Sequence, residues 1–356
     1  MRRLTKAGRK GLVAGGSVLA VAVGSLLATT PAQAASAPAA VPAAQAPKDR
    51  APVHLIIDTD ISDDCDDTGA LAIANAAQDD GKVDLLGVMV DTPSKWGAPA
   101  VDAIDTYYGH GNIPIGTLKP NNDAVDTPNY AQVLAQQFPN SLHTGTRAPN
   151  ATALYREILA RQPDHSVTIA GIGFETNLEN LLKSGPDQYS KLSGTALVAQ
   201  KVKQLVLMGG GYPSGHEFNF DSYPSATQYV VNNWPTRVVF DGLEVGNTVY
   251  TGSQLFTQTP VTDPVRKAYE IYVGDGNNRN SWDPSTVFYS IYGNDGLFTL
   301  NSDPGSNQVA ADGSNTWVSS PVKDQNYLIK TAPDATIAQA LSNLMVQPPR
   351  QGRNAR

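Results

Sequence analysis

Between residues 58 and 67 the chain places six carboxylates, in the run Asp58-Thr59-Asp60-Ile61-Ser62-Asp63-Asp64-Cys65-Asp66-Asp67. An apolar stretch, VHLIID at 53–58, leads into this block, and a helical pattern, GALAIANAA at 69–77, leads out of it. A buried strand that passes through dense like charge into a helix leaves few options. Unpaired in a half-buried crevice, the carboxylates would repel one another and raise each other's pKa values. Helix caps and first-turn acids account for one or two of the six. A hard divalent cation accounts for more, since Ca²⁺ accepts roughly six to eight oxygen ligands. An EF-hand loop is excluded: counted from Asp58, its bidentate Glu would fall on Gly69.

The rest of the chain alternates in the same way. Apolar runs at 83–90, 166–171, 202–208 and 237–241 read as strands. Helical patterns fall at 98–108, 150–161, 176–183, 224–232 and 264–273. This spacing predicts an α/β fold, a Rossmann-like, mostly parallel sheet flanked by helices. In such sheets the ligand crevice lies beyond the carboxyl ends of the strands, where the acidic block sits. Residues 293–331, rich in Gly, Asn, Ser and Asp, read as an irregular excursion with short β-like pieces at 317–318 and 327–329. A closing helix is expected at 335–345.

Residues 1–34 combine Arg2, Arg3, Lys6, Arg9 and Lys10 with an apolar run and the small-residue spacing Ala32-x-Ala34. This is the pattern of a cleaved secretory signal peptide, so the mature chain is expected to be exported and free of the membrane. Residues 35–52 read as an Ala/Pro-rich linker, 53–346 as one α/β domain and 347–356 as a disordered tail. Without residues 1–34 the chain keeps 21 Lys and Arg against 33 Asp and Glu, a net charge of −12 in place of −7. Nucleic acid would be repelled, which removes it as a partner. With Cys65 as the single cysteine, intrachain disulfides and thiolate zinc sites are excluded. Its acidic neighbours make Cys65 a buried small hydrophobe rather than a nucleophile.

At this point a family resemblance emerges. The run DTDISDDCDDTGALA at 58–72 resembles the N-terminal signature of the inosine/uridine-preferring nucleoside hydrolases, in which a strand is followed by Asp-x-Asp and an Asp-Asp pair entering a helix. Three more segments match in order. Gly171-Ile172-Gly173-Phe174-Glu175-Thr176-Asn177 resembles the family's Gly-Pro-Leu-Thr-Asn turn. Leu207-Met208-Gly209-Gly210-Gly211 with Glu217-Phe218-Asn219 resembles its Met-Gly-Gly…Glu-Phe-Asn segment, and Trp282-Asp283-Pro284 its late His-Asp-Pro. The chain departs from the pattern in three places. Ile61-Ser62 replaces Pro-Gly with a spacing two residues longer, Trp282 replaces the histidine, and Asp91-Thr92 stands where Gly-Asn is usual.

The resemblance implies a hydrolase that cleaves the N-glycosidic bond of ribonucleosides through a water held on Ca²⁺ and deprotonated by Asp60. It implies Asp60, Asp67, Asp283 and the Thr176 carbonyl as metal ligands, with Asp58 behind them as a ligand or orienting group. Asp66, Glu217 and Asn219 would bond the ribose hydroxyls, and Asp91 is a candidate stand-in for a lost ribose contact. It also implies that the chain can form homo-oligomers. The residues themselves leave simpler readings open. Asp283 before Pro284 fits a helix N-cap. Glu217 and Asn219 fit the outward face of a strand edge. Trp282 fits either a base-stacking or a packing role, and His216 either the pocket rim or the surface. A secreted Ca²⁺-dependent sugar binder without turnover and a hydrolase of a non-nucleoside glycoside remain as alternatives.

Overall fold

The computed structural model describes residues 51–124 and 127–350. The expected signal peptide, nearly all of the expected linker and the last six residues of the expected tail lie outside the described residues. At the near end of that tail, Gln347 donates to the Asp80 carboxylate and the Arg350 N–H to Asp79.

Eight strands form the main sheet: β1 (Val53–Thr59), β2 (Val83–Val90), β3 (Ile115–Thr117), β4 (Val167–Ile172), β5 (Val202–Met208), β6 (Arg237–Asp241), β7 (Phe298–Leu300) and β8 (Gln325–Lys330). Their order is β7-β8-β6-β5-β4-β1-β2-β3. All neighbours pair parallel except β7, which runs antiparallel along the edge of β8. The expected α/β class with a mostly parallel sheet is the observed one.

Alternation along the strands sorts side chains onto two faces. Leu55, Ile57, Val88, Val90, Ala170 and Ile172 join one core, where the Asp66–Asp79 and Trp282–Tyr292 helices pack against each other. Ile56, Met89, Ile169, Leu205 and Leu207 join the other, beneath the Ala151–Arg161, Thr176–Lys183 and Pro224–Asn233 helices. With both faces covered, the central strands read as continuous apolar runs, which made them visible in the sequence.

The segment expected to be irregular is more ordered than its composition suggests. Besides β7 and β8 it contains a hairpin, Ser306–Val309 with Asn315–Val318, whose second strand pairs with Ser214–Gly215. Backbone pairing, rather than apolar periodicity, holds these short strands. No helix among the described residues is long and apolar enough to cross a membrane.

Candidate active site

The carboxyl ends of the central strands finish level: Thr59 pairs with both Val90 and Ile172, and Met208 with Asp241. Asp60, Asp91 and Gly173 therefore emerge side by side. The packing is close, since a Cβ on Gly173 would lie 2.4 Å from the Asp60 backbone nitrogen and 2.5 Å from Asp91 Oδ2.

Asp67 comes from the first turn of the Asp66–Asp79 helix, where the helix dipole favours an acid. Asp283 arrives from far along the chain, in the first turn of the Trp282–Tyr292 helix. One oxygen from each of Asp60, Asp67 and Asp283 lies within 4.8 Å of the others, and all three residues are buried. The Thr59 hydroxyl donates to Asp67 Oδ1, while Asp67 Oδ2 is buried without a partner. Burial pushes Asp67 up to about 8 and holds Asp60 and Asp283 well above the usual carboxylate range, and the neighbouring aspartates add to it. Converging oxygen donors, one of them orphaned, fit a hard divalent cation.

The structure places the other expected residues around this group. Asp58 stands outside it: Oδ2 accepts from the Tyr155 hydroxyl at 2.7 Å and Oδ1 from Asn177 Nδ2 at 3.0 Å. Thr176 opens its helix, and its hydroxyl donates to the Asp91 carbonyl at 3.3 Å. Asp66 Oδ2 accepts the backbone N–H groups of Trp282 (3.1 Å) and Asp283 (3.2 Å). Asp66 thus satisfies two free amides at the start of the helix that carries Asp283. The N-cap position belongs to Ser281, so Asp283 is not the cap that its proline suggested.

Above the three aspartates opens a cavity of about 410 Å³, and Asp60, Asp66, Glu217, Asn219, Trp282 and Asp283 all line it. Glu217 and Asn219 are not on a strand. Glu217 caps the short Phe218–Ser222 helix, accepting N–H groups from Asn219, Phe220 and Gly210, and burial pushes its carboxyl up to about 7. Asn219 Nδ2 donates to the Met208 carbonyl. Trp282 combines both readings: its indole N–H bonds the Leu243 carbonyl at 3.0 Å while the residue walls the cavity. His216 is exposed and faces Asp221 at 3.0 Å. Cys65 is free and buried, as expected of a small hydrophobe.

Tyr272 and Arg279 of the cavity escaped the sequence reading, and Asp64 entered it only as one of six clustered carboxylates. Arg279 Nε lies 3.0 and 2.9 Å from the two Asp64 oxygens, and its guanidinium stacks on Tyr272 and Trp282 at 5.5 and 5.0 Å. The lengthened acidic loop is held on its other side by Tyr130, whose hydroxyl accepts from the Ser62 N–H at 2.7 Å and donates to the Asp64 carbonyl. Ser62 adopts φ 140°, a conformation rare for a side-chain-bearing residue. The available signal was the arginine three residues before the late motif, together with an acidic loop longer than usual.

The match to known proteins covers this whole framework. No curated protein sequence matches the chain significantly. Among solved structures, a plant nucleoside hydrolase superposes with a TM-score of 0.60 at 17% identity, covering 83% of this chain and 100% of that one. The inosine-uridine preferring nucleoside hydrolase of Bacillus anthracis gives 0.61 at 16%, covering 83% and 99%. The type III effector protein XopQ, solved with adenosine diphosphate ribose, gives 0.61 at 15%, covering 83% and 92%. These likenesses establish the fold. The family model for inosine-uridine preferring nucleoside hydrolases matches residues 55–289, from β1 through the helix that carries Asp283, and the chain belongs to that family.

Proposed function

We propose that this protein is a metal-dependent hydrolase that cleaves the N-glycosidic bond of ribonucleosides into base and ribose. The observation that carries the reading is the convergence of Asp60, Asp67 and Asp283 beneath a cavity whose lining is both polar and aromatic. Breaking the bond passes through an oxocarbenium-like sugar, which a negatively charged floor stabilises. Asp60 is the general base and takes the proton of the attacking water. Burial and the neighbouring aspartates raise the basicity of its carboxylate. Asp66, Glu217 and Asn219 orient the ribose through its hydroxyls, and Trp282 offers a flat face to the base.

A bound divalent cation, Ca²⁺ in this reading, would sit on Asp60, Asp67, Asp283 and the Thr176 carbonyl, acidifying water and gripping the ribose diol. Asp58, locked by Tyr155 and Asn177, fixes the end of β1 from which Asp60 projects. The secretory-signal pattern of residues 1–34 supports export of the mature enzyme. Chromatography of a nucleoside panel incubated with the mature protein and Ca²⁺ tests the reading, which expects free base and ribose in equal amounts. Intact nucleosides throughout would refute it.

Two observations favour a second reading, a ribosyl-binding protein without turnover. Trp282 stands where the family's late motif has histidine, and a structural neighbour was solved with adenosine diphosphate ribose. Such a protein would bind its ligand and leave it uncleaved.

A further inference from the structure

Beside the cavity lies a second hollow that the reaction as described leaves unused. Its volume is also about 410 Å³, and Asp63 lines both spaces. Thr92, Phe174 and Tyr223 form part of its wall. A group of aromatic rings stands between the two. Phe218 lines the cavity, and its ring lies 5.9 Å from that of Phe174, which lies 5.0 Å from that of Tyr223. Of these only Phe174 is buried; Phe218 is 61% exposed and Tyr223 40%. Core packing does not account for two large aromatic side chains left open beside a site, whereas a ligand ring would cover them.

Thr92 adds a polar group to the same hollow. It belongs to the Asp91-Thr92 departure from the family pattern, and its buried hydroxyl has no hydrogen-bond partner. Turning that hydroxyl toward a ligand breaks no bond within the protein. A phosphate would find no counter-charge, since among the described residues no lysine, arginine or histidine lines the hollow. An uncharged ring suits it.

Ribose chemistry decides which part of a substrate reaches this space. In the proposed reaction the anomeric carbon faces Asp60 and the metal holds the 2′,3′ diol. The 5′-oxygen is then the position left for an extension. Glu217 and Asn219, the ribose contacts away from the three aspartates, flank Phe218 in sequence and line the cavity with it. A 5′-oxygen held there lies next to the rings.

Resting on the hydrolase reading, we propose that the protein takes ribonucleosides that carry an uncharged ring on the 5′-oxygen. The ring sits against Phe218 and Tyr223 and reaches Thr92. Water gives its oxygen and one hydrogen to C1′, and its other hydrogen ends on the base nitrogen as the C1′–N bond breaks. The 5′ linkage stays intact, so the products are free base and a 5-O-substituted ribose.

The test measures base release by the Ca²⁺-loaded mature protein from inosine, uridine and the 5′-O-benzyl and 5′-O-glucosyl derivatives of each. Extension is expected to lower KM about fivefold, with kcat little changed. Tyr223→Ala should erase that gain and leave the KM of the plain nucleosides within about twofold, while Tyr223→Phe, which keeps the ring, retains it. Thr92→Val should raise KM about threefold for the glucosyl derivatives alone. A gain confined to the benzyl derivatives assigns the hollow to an aromatic ring, and one confined to the glucosyl derivatives assigns it to a sugar. No gain on extension, or a Tyr223→Ala effect shared by the plain nucleosides, overturns the inference and leaves the hydrolase reading standing. Cleavage of none of these compounds overturns both.

Discussion

The cavity has two sides of different origin. The proposed metal side, Asp60, Asp67 and Asp283, grows out of a strand end and two helix first turns, and its residues are buried. The base side, Tyr272, Arg279 and Trp282 with Asp64, is assembled from the acidic loop, helix ends and the two-residue strand Arg279–Asn280, and stays half-exposed. Rigid elements position charges that must converge within a few ångströms, whereas the loops select what is brought to them. In the proposed reading, reaction type belongs to the first side and substrate choice to the second, and substitutions should separate the two.

The largest effect is expected on the metal side. Asp60→Asn should lower turnover roughly 10³-fold while circular dichroism remains that of the parent. An active Asn variant would remove Asp60 as the base. Asp67→Asn should weaken Ca²⁺ binding by about two orders of magnitude in calorimetry, since it removes a proposed ligand whose second oxygen has no hydrogen-bond partner among the described residues. Gly173→Ala should cost about 1–3 kcal/mol of stability in denaturant titration, because its Cβ meets the Asp60 backbone and Asp91. Turnover should fall with it, as Asp60 is displaced.

The base side should respond more mildly and in a different quantity. Arg279→Ala should raise KM severalfold and leave Ca²⁺ affinity within about twofold, since the Arg279–Asp64 pair is part-exposed and acts on Asp67 and Asp283 only through the Asp64 charge. A loss of metal binding in that variant would show that the two sides are one unit.

The smallest effect is a pH trend. The folded pKa of Asp67, about 8, lies above the unfolded value of about 3.9. Its contribution to stability is therefore fully present below about pH 4 and is lost as pH rises through about 8. Metal-free protein should melt at progressively lower temperature from pH 5 to pH 8, and the increment produced by Ca²⁺ should grow over the same range. A melting temperature that rises with pH without metal would contradict the burial of these groups.

The difference between the two sides also explains what could be read from the sequence. Strands such as β1, β2 and β5 were legible because burial on both faces leaves an apolar stretch in each, LII, LLGVMV and LVLM. Asp60 and Asp67 stood out because six carboxylates in ten residues demand an explanation. Asp283 was reachable only through the family motif, since 216 residues separate it from Asp67. The three-residue strands Ile115–Thr117 and Phe298–Leu300 are too short to carry a period. Arg279 was silent because its meaning lies in Asp64, which comes near only in the fold. The capping of Asp283's helix by Asp66 was hidden for the same reason, as it joins a side chain to the backbone of a distant helix.

The most direct measurement is release of ribose from a riboside panel by the purified mature protein, with Ca²⁺ and with an excess of chelator. Ribose is expected with Ca²⁺, none with chelator, and again when Ca²⁺ is restored. Release that persists in chelator, or no release from any riboside by protein with Ca²⁺ demonstrably bound, would contradict the metal-dependent hydrolase reading.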